Sequence, residues 1–495
     1  MKKRLLPLLC ASALALALTA CGAQQTTQTD IADAVVLTFT DSGITAQDGT
    51  AGYEIDGTAL TITESGIYAV SGSCADGTIQ IKKGTTGVTL ILNGLDLTSG
   101  DSAAITCGKS GEVTILAADG TQNALSDTEQ NNDDNYPDNS DAENAVIKCK
   151  DGSAVTLGGT GALTVTANGK NGIKSGAATE EDGEASLTID AADDAIHCDM
   201  ILNIGADGTD GPTIDITSCY EGLEGAELNV LSGNITINAS DDCLNAANSD
   251  LTGYAFTLTI SGGTIDAYSS GGDGFDSNGE LTITGGTVVV WTANTADNEP
   301  LDADGTITVT GGTVLAAGGS SGMGMSLEAA QPCVIYGASS LGGTPGSAQS
   351  GSLIASGADV TIEDSSGSTV YSGTARCNAC FVLFSSADVT ADGPYTLKAG
   401  DSSAEGTAQS GTVSTGMGMG GGFRGGQKPD GEPPEGFDGQ QPSGEKPELP
   451  DGKRPDLADG ERPEPPDGQG KSKDGRAPAD DNASDTNDSD TTQAA

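Results

Sequence analysis

The chain has few basic residues, few aromatic residues and no apolar segment long enough to span a membrane. Its 495 residues include 21 lysines and arginines against 71 aspartates and glutamates, and only 3% are aromatic. The scarcity of positive charge excludes a nucleic-acid-binding protein that works through basic patches. The scarcity of aromatic residues argues against an ordinary core, whereas stacked β-strands rich in Gly, Thr and Ala need few large side chains. The formal net charge of −50 is the feature of the composition that most needs an explanation.

The first twenty residues predict a secretory signal. A basic start is followed by an apolar run from Leu5 to Leu18, which is too short and too early for a spanning helix. The run ends in LTAC at residues 18–21, which resembles the bacterial lipoprotein signal, in which the cysteine becomes the lipid-modified first residue. We therefore predict a lipidated, palmitate-bearing Cys21, a membrane anchor and an extracytoplasmic, cell-surface location. A plain signal peptide with an incidental Cys21 is the alternative. Residues 21–34 fit a flexible tether.

Nine cysteines follow Cys21, and an odd number cannot all pair within one chain. Cys377 and Cys380 have the spacing of a redox or metal pair, but no second such pair and no nearby histidine accompanies them. Packing in a strand or loop is therefore the favoured interpretation. The disulfide state stays open for Cys74, Cys107, Cys149, Cys198, Cys219, Cys243, Cys333, Cys377 and Cys380.

A repeat of roughly 25 residues is the strongest signal in the chain. The phrase Gly-Gly-Thr followed by Val or Ile recurs from Gly262, Gly285 and Gly311, and segments with period-two alternation lie on either side of it. Such alternation indicates β-strands. One unit suits one coil of a right-handed parallel β-helix, with about three short strands and equivalent residues stacked ~4.8 Å apart. The predicted fold class is therefore all-β.

A second phrase closes each unit and places one apolar residue at an equivalent position in every coil. The phrases are DDAIHC from Asp193, YEGLEG from Tyr220, DDCLNA from Asp241, GDGFDS from Gly272 and EPLDA from Glu299. The aligned apolar residues are Ile105, Ile147, Ile173, Ile196, Leu223, Leu244, Phe275 and Leu301. The long gap after Ile105 contains a polar segment at residues 131–137, which predicts a loop off one coil. Two places after each aligned residue stands a small side chain, often Cys, which predicts a buried ladder of small residues.

The repeat phrase disappears after residue 330. Residues 35–330 therefore form the predicted β-helix, and residues 331–400 form a predicted β-rich cap over its end. After Val413 the chain has no Val, Ile, Tyr or Trp, and 11 of its 18 prolines lie between Pro429 and Pro478. Such a segment cannot bury a core, so residues 401–495 are predicted to be a disordered tail.

The negative charge is concentrated in the repeat. No Lys or Arg lies between Ser175 and Ala375, whereas this stretch holds 29 Asp and Glu residues. Stacking of the closing phrases arranges many of these acids in two columns, which we call the acidic corner. The first column, two places before the aligned apolar residue, consists of Asp194, Glu221, Asp242, Asp273 and Glu299. The second column, one place after it, consists of His197, Glu224, Asn245, Asp276 and Asp302. Because the apolar residue faces the core, both columns are expected to face outward.

Carboxylates one coil apart repel each other unless they are protonated or bridged by a cation. Clusters of oxygen ligands suit Ca²⁺, whereas Zn²⁺ prefers His and Cys. We therefore predict several Ca²⁺ ions. Their predicted ligands are Asp194, Glu221, Glu224, Asp241, Asp242, Asn245, Asp273, Asp276 and Asp302. The alternative is that these acids only cap turns. His197, the only histidine, is expected to be an outward side chain without a catalytic role.

The order of several phrases resembles that of a known family. TESGIY from Thr63 and GVTLILNG from Gly87, followed by the closing phrases, are similar to a clostridial family of β-helix carbohydrate-binding lipoproteins over roughly residues 35–400. The resemblance implies a pectate-lyase-like fold, calcium binding, and recognition of cellulose or of acidic sugars such as polygalacturonate. It also implies that the acidic closing phrases supply the ligands. The chain departs from the family where Ala195 and Cys243 stand at places usually held by Gly.

A binding protein is favoured over an enzyme. A uronate lyase needs a Lys or Arg beside a calcium-neutralised carboxylate, and Lys174 and Arg376 are the basic residues nearest to the columns in sequence. A hydrolase could use a pair such as Glu221 with Glu224, but carboxylates bound to calcium are not available as acids. No catalytic residue is therefore assigned.

Tyr268 and Trp291 occupy equivalent positions on successive coils, with Asn238 on the coil before. They are predicted to form a stacking platform for a sugar ring, or else a pair of exposed aromatics that stabilise each other. The predicted protein is a monomeric, non-catalytic surface lipoprotein that binds polysaccharide through a calcium-loaded face. A calcium-dependent pectin-degrading lyase or hydrolase and a structural adhesin or spacer are the alternatives.

Overall fold

The structure is a computed structural model that describes residues 31–47, 49–176, 178–181, 185–293, 298–319, 326–337 and 352–414. The predicted signal, Cys21, most of the tether and the tail from residue 415 lie outside the described residues. Within these ranges the chain is built from β-strands and one 3₁₀ turn, Ile31–Asp33. None of the described residues forms a helix long and apolar enough to cross a membrane.

The strands follow one another closely along the chain. The N-terminal strands are β1 (Val35–Thr40), β2 (Gly43–Ala46), β3 (Tyr53–Asp56), β4 (Ala59–Ile62), β5 (Gly66–Cys74), β6 (Thr78–Ile81), β7 (Val88–Thr98), β8 (Ile105–Cys107), β9 (Glu112–Ala117), β10 (Gln122–Ser126), β11 (Ala145–Cys149) and β12 (Ala154–Gly159). The central strands are β13 (Ala162–Ala167), β14 (Asn171–Ser175), β15 (Ala178–Glu181), β16 (Ser186–Ala191), β17 (Ile196–Ile204), β18 (Thr213–Cys219), β19 (Leu223–Val230), β20 (Asn234–Ala239), β21 (Leu244–Ala246), β22 (Thr257–Ile260), β23 (Thr264–Ser269) and β24 (Phe275–Ser277). The C-terminal strands are β25 (Glu280–Ile283), β26 (Thr287–Thr292), β27 (Ile307–Val309), β28 (Thr313–Gly318), β29 (Ser326–Tyr336), β30 (Asp359–Asp364), β31 (Thr369–Thr374), β32 (Phe381–Ser385), β33 (Pro394–Ala399), β34 (Ser402–Thr407) and β35 (Gln409–Ser414).

Three stacks of parallel strands run along the molecule, because successive coils place equivalent strands side by side. The first stack runs from β4 through β6, β8, β11 and β14 to β17, β19, β21 and β24. The second runs from β1 through β5, β7, β9, β12 and β15 to β17, β19, β22, β25, β27 and β29. The third runs from β7 through β10, β13 and β16 to β18, β20, β23, β26 and β28. The result is an all-β protein with a large, mostly parallel sheet in a solenoid-like wrap.

Strand pairing confirms the alignment of the apolar residues that close each coil. Ile105 pairs with Ile147, which pairs with Ile173. The column continues through Ile196, Leu223, Leu244, Phe275 and Leu301. All of these side chains are fully buried in one continuous core, so a shift of register by one residue would turn the whole column outward. The predicted excursion at residues 131–137 is also confirmed. Asn131, in the loop between β10 and β11, is buried and accepts hydrogen bonds from the amides of Glu143 and Asn144.

The ladder of small residues is also in register. Cys107 pairs with Cys149, Cys149 with Ser175, and Ser175 with Cys198. The nine cysteines within the described ranges are all buried, and none of them forms a disulfide there. They are packed as small apolar side chains in the interior.

The C-terminal part changes from parallel to antiparallel pairing. Strand β32 pairs antiparallel with β28 and β29, and β30, β31, β33 and β34 form a separate four-stranded antiparallel sheet. A second apolar cluster joins the outer side of the third stack, at Trp291 and Leu315, to Val360 and Ile362 of this sheet. The predicted start of the tail at residue 401 is wrong, because β34 and β35 lie beyond it. Those strands lack a strong apolar alternation and are held by backbone pairing to β33 and β29.

Candidate metal centres along the acidic corner

The second column of the acidic corner stacks as its alignment predicts. His197 pairs with Glu224, Glu224 with Asn245, and Asn245 with Asp276. The same column is basic on the two preceding coils, where Lys148 pairs with Lys174 and Lys174 with His197. The column therefore changes sign along the first stack at the histidine.

The first column is more recessed than predicted. Asp194 is only 8% exposed, and Glu221, Asp242 and Asp273 are half-buried. The reason is that several of these side chains turn back onto the backbone of the next coil. The Asp273 amide donates to Asp242 Oδ1 at 2.6 Å, and the Glu299 amide donates to Asp273 Oδ1 at 2.6 Å. The predicted turn-capping role is thus present, and it engages one oxygen of each of these two carboxylates.

The residue before each aligned apolar side chain lies where adjacent coils approach closely. A Cβ added at Gly222 would lie 2.3 Å from the Cys243 carbonyl oxygen. Ala195 and Cys243, which stand where the resembling family has Gly, keep the same backbone ladder. The Ala195 amide donates to the Glu221 carbonyl, and the Cys243 carbonyl accepts from Leu223. Neither departure displaces the acidic residue that precedes it from the column.

Three predicted ligands form a cluster made only of oxygen donors. One carboxylate oxygen from each of Asp273, Asp276 and Asp302 lies within 4.8 Å of the other two. Burial raises the pKa of Asp273 to about 9, and the charges of Asp242, Asp302 and Asp276 act in the same direction. A nearby positive charge would relieve this repulsion.

The middle of the corner has the same electrostatic character. Burial, together with the charges of Asp276 and Asp241, raises the pKa of Asp242 to about 8. Burial, with the charges of Glu224 and Asp194, also holds the pKa of Glu221 well above its usual range. The side-chain amide of Asn245 donates to Glu221 Oε2 at 3.0 Å.

Asn245 has an unsatisfied acceptor. It is only 8% exposed, and its Oδ1 is buried without a hydrogen-bond donor. The amide nitrogen and oxygen diverge from the same carbon, so Oδ1 is directed away from the Glu221 carboxylate that the nitrogen contacts. A buried acceptor without a hydrogen-bond partner lowers the stability of the folded state by about 1–3 kcal/mol, and a cation beside Oδ1 would offset this loss.

A second cluster contains the histidine. Asp194, His197 and Glu224 each place one ligand atom within 4.8 Å of the other two. Burial lowers the pKa of His197, but Glu224, Asp194 and Asp199 outweigh it, so that the pKa lies well above its usual range. His197 lies on the outward side of its strand, as expected, but the carboxylates of Asp194, Asp199 and Glu224 surround its ring. Its position in the second column was the available sequence signal.

The structure does not bring Asp241 into either cluster. Its carboxylate is instead hydrogen-bonded to the hydroxyl of Tyr220, an interaction that raises the pKa of that phenol. Tyr220 is 45% exposed beside the first column. Sequence reasoning did not select this tyrosine, although it opens the closing phrase of its coil.

The predicted aromatic platform is wrong. Tyr268 pairs with Trp291 as the alignment predicts, but Trp291 is 1% exposed and belongs to the second apolar cluster. The Arg376 guanidinium lies 5.2 Å from the ring centroid of Tyr268 and also binds Asp266 and Asn238. The C-terminal sheet covers this outer side, a long-range contact that local sequence does not reveal.

A protein-family model described as "carbohydrate-binding domain-containing protein" matches residues 56–322 and 182–371. The chain belongs to this family of carbohydrate-binding domain-containing proteins. A relative from Acetivibrio thermocellus with the same description is 31% identical over 166 residues, which are 32% of this chain and 55% of that protein. The chain thus spans about half the length of this curated relative. A solved structure described as a polysaccharide lyase-like protein from C. thermocellum, determined as a gadolinium derivative, is 26% identical, with a TM-score of 0.36. That match covers 56% of this chain and 92% of the other.

Proposed function

We propose that this family member is a non-catalytic surface lipoprotein that binds acidic polysaccharide through calcium held along the acidic corner. The observation that supports it most is the oxygen-only cluster of Asp273, Asp276 and Asp302. Family membership supports a carbohydrate ligand. We also propose that the coils wind as a right-handed parallel β-helix, because nearly all parallel crossover connections are right-handed.

The donor set fits Ca²⁺. Calcium takes six to eight oxygens in flexible geometry, and three carboxylates would supply half or fewer of these. The remaining positions would be available to water, backbone carbonyls and ligand oxygens. The buried Asn245 Oδ1, which has no hydrogen-bond donor, supports a further cation in the middle of the corner. Glu221 and Asp242 lie beside this cation. The predicted ligand Asp241 is omitted from the proposal because it is hydrogen-bonded to Tyr220.

A calcium ion bound here would supply positive charge and open coordination positions to a uronate carboxylate. The chain's own residues hold the cation and place it at the surface, where Asp276 and Asp302 remain half-buried and accessible. Without cations, the corner would repel an anionic polymer. With them, the repulsion is neutralised where the ligand binds.

The side chains around the corner favour an acidic sugar over cellulose. Neutral glucan chains are commonly held by exposed aromatic rings, and the predicted pair at Tyr268 and Trp291 is covered. Tyr220 presents one exposed ring beside the carboxylates and is the candidate for contact with a sugar face. We therefore propose polygalacturonate or a similar uronate polymer as the ligand class.

The proposed location is the outer face of the cell membrane. The lipoprotein-like signal ending at Cys21 supports an anchor there, followed by a short tether and a monomeric β-helix. Detection of a diacyl-modified Cys21 by mass spectrometry of membrane-extracted protein tests the anchor.

Retention on polygalacturonate and on cellulose, with calcium and with a chelator, tests the function. The expected result is calcium-dependent retention on polygalacturonate and no release of unsaturated or reducing ends. Asp276→Asn should weaken retention, whereas Asp215→Asn, which removes an equal charge from an exposed site on β18, should not. Release of product would make the protein an enzyme, and no retention on either polymer would favour a structural spacer.

A further inference from the structure

The N-terminal end of the acidic corner differs from the rest because it offers a nitrogen ligand. His197 is the only histidine of the chain, and both of its ring nitrogens face carboxylates. Nδ1 lies 3.1 Å from Asp194 Oδ2 and also contacts Glu224 Oε2. Nε2 lies 3.3 Å from Asp199 Oδ1.

One proton cannot satisfy the carboxylates at Nδ1. A ring nitrogen bears at most one hydrogen, yet oxygens of both Asp194 and Glu224 contact this one. The three ligand atoms lie within 4.8 Å of one another. Ligand atoms that are each held at about 2.0–2.2 Å from the same ion are also less than 4.8 Å from one another. A divalent ion would therefore satisfy all three groups where a proton satisfies two.

Asp199 lies where an orienting residue of a metal-bound histidine is usually found. Such histidines typically donate their second ring N–H to a carboxylate, which fixes the tautomer and the ring orientation. Here Asp199 faces Nε2 and leaves Nδ1 for the ion. Asp199 is thus a positioning residue, because it would act through His197 without touching the metal.

The cluster repeats the geometry of the oxygen-only cluster three coils further on. In each, one ligand comes from the first column and two come from successive residues of the second column. Asp194, His197 and Glu224 correspond to Asp273, Asp276 and Asp302.

We infer that Asp194, His197 and Glu224 bind a divalent transition-metal ion, of the class of Zn²⁺ or Co²⁺. Imidazole suits these ions, whereas Ca²⁺ is bound almost exclusively by oxygen. The corner thus holds two kinds of metal site. They differ in that one carboxylate ligand is replaced by an imidazole. This inference goes beyond the proposed function, since it requires neither calcium nor polysaccharide.

The test uses the full chain without a histidine tag, stripped of metal and titrated with Co²⁺ in excess Ca²⁺. The expected result is one tightly bound Co²⁺ and paramagnetic broadening of the imidazole signals in a histidine NMR spectrum, which can come only from His197. His197→Asn should weaken Co²⁺ binding at least tenfold. His197→Asp recreates the oxygen-only donor set and should gain one Ca²⁺ while losing Co²⁺. Asp199→Asn should weaken Co²⁺ binding about 10- to 100-fold.

The opposite results overturn the inference. Absence of stoichiometric Co²⁺ binding, or binding unchanged in His197→Asn, would make His197 an ion-paired imidazolium. Strong thiolate-to-cobalt absorption would assign the ion to cysteines instead. Thermal unfolding verifies that each variant is folded. Because bound Co²⁺ is detected by its own signals, failure of the calcium proposal would not affect the interpretation of this experiment.

Discussion

Asp276→Asn is expected to have opposite effects on stability in the presence and absence of calcium. The substitution keeps the shape of the side chain and removes one charge from the oxygen-only cluster. Without cations, the raised pKa leaves Asp273 protonated near neutral pH, so Asp302 is the charged neighbour within 4.8 Å. At an effective dielectric constant of about 20, two unit charges 4.8 Å apart repel by about 3.5 kcal/mol. Partial exposure reduces this to on the order of 1–2 kcal/mol.

Chelated Asp276→Asn should therefore be more stable than the chelated natural protein. In saturating calcium the order should reverse, because each tenfold loss of affinity removes about 1.4 kcal/mol of stabilisation. Thermal unfolding followed by circular dichroism, with chelator and with calcium, measures both effects. Asp215→Asn controls for net charge and should not show the reversal. If Asp276→Asn is destabilising by the same amount in both conditions, the Asp276 carboxylate is a turn cap and does not bind calcium.

Four further outcomes follow from the packing and the exposed groups. Phe275→Ala, at a fully buried position of the aligned column, should cost about 3–5 kcal/mol of unfolding free energy in a denaturant titration; a cost below ~1 kcal/mol would contradict the register. Arg376→Ala should lower stability by about 1–2 kcal/mol, because its guanidinium covers Tyr268. Polysaccharide retention should stay intact. Increased retention would instead reveal a hidden sugar site. Tyr220→Ala should weaken retention on polygalacturonate, about tenfold, without changing calcium uptake, whereas unchanged retention would remove this ring from the site. The nine described cysteines should react with Ellman's reagent only after unfolding, and rapid reaction of any of them in the native protein would contradict its burial.

The repeat made the stacking of the first stack predictable. An alignment of short phrases places Ile196 beside Leu223 and His197 beside Glu224, and the strand pairing agrees. This works because each coil contacts mainly its neighbours, so a periodic sequence specifies a periodic register. The buried ladder of small residues follows from the same alignment.

The depth of the side chains and the long-range contacts were not predictable in the same way. Alternation predicts an outward direction for Trp291, but it does not reveal that a C-terminal sheet covers that side. Likewise, the hydrogen bonds that recess Asp242 and Asp273 depend on the approach of the next coil. Asp199, whose carboxylate faces the His197 ring, lies outside both columns, so the alignment of the closing phrases did not select it.

Calorimetric titration of the metal-stripped full chain with Ca²⁺ measures directly whether the acidic corner binds calcium. The expected result is saturable uptake of at least one ion per chain, a rise in melting temperature, and loss of one equivalent in Asp276→Asn but not in Asp215→Asn. Titration heats equal to those of dilution, with an unchanged melting temperature, would contradict it.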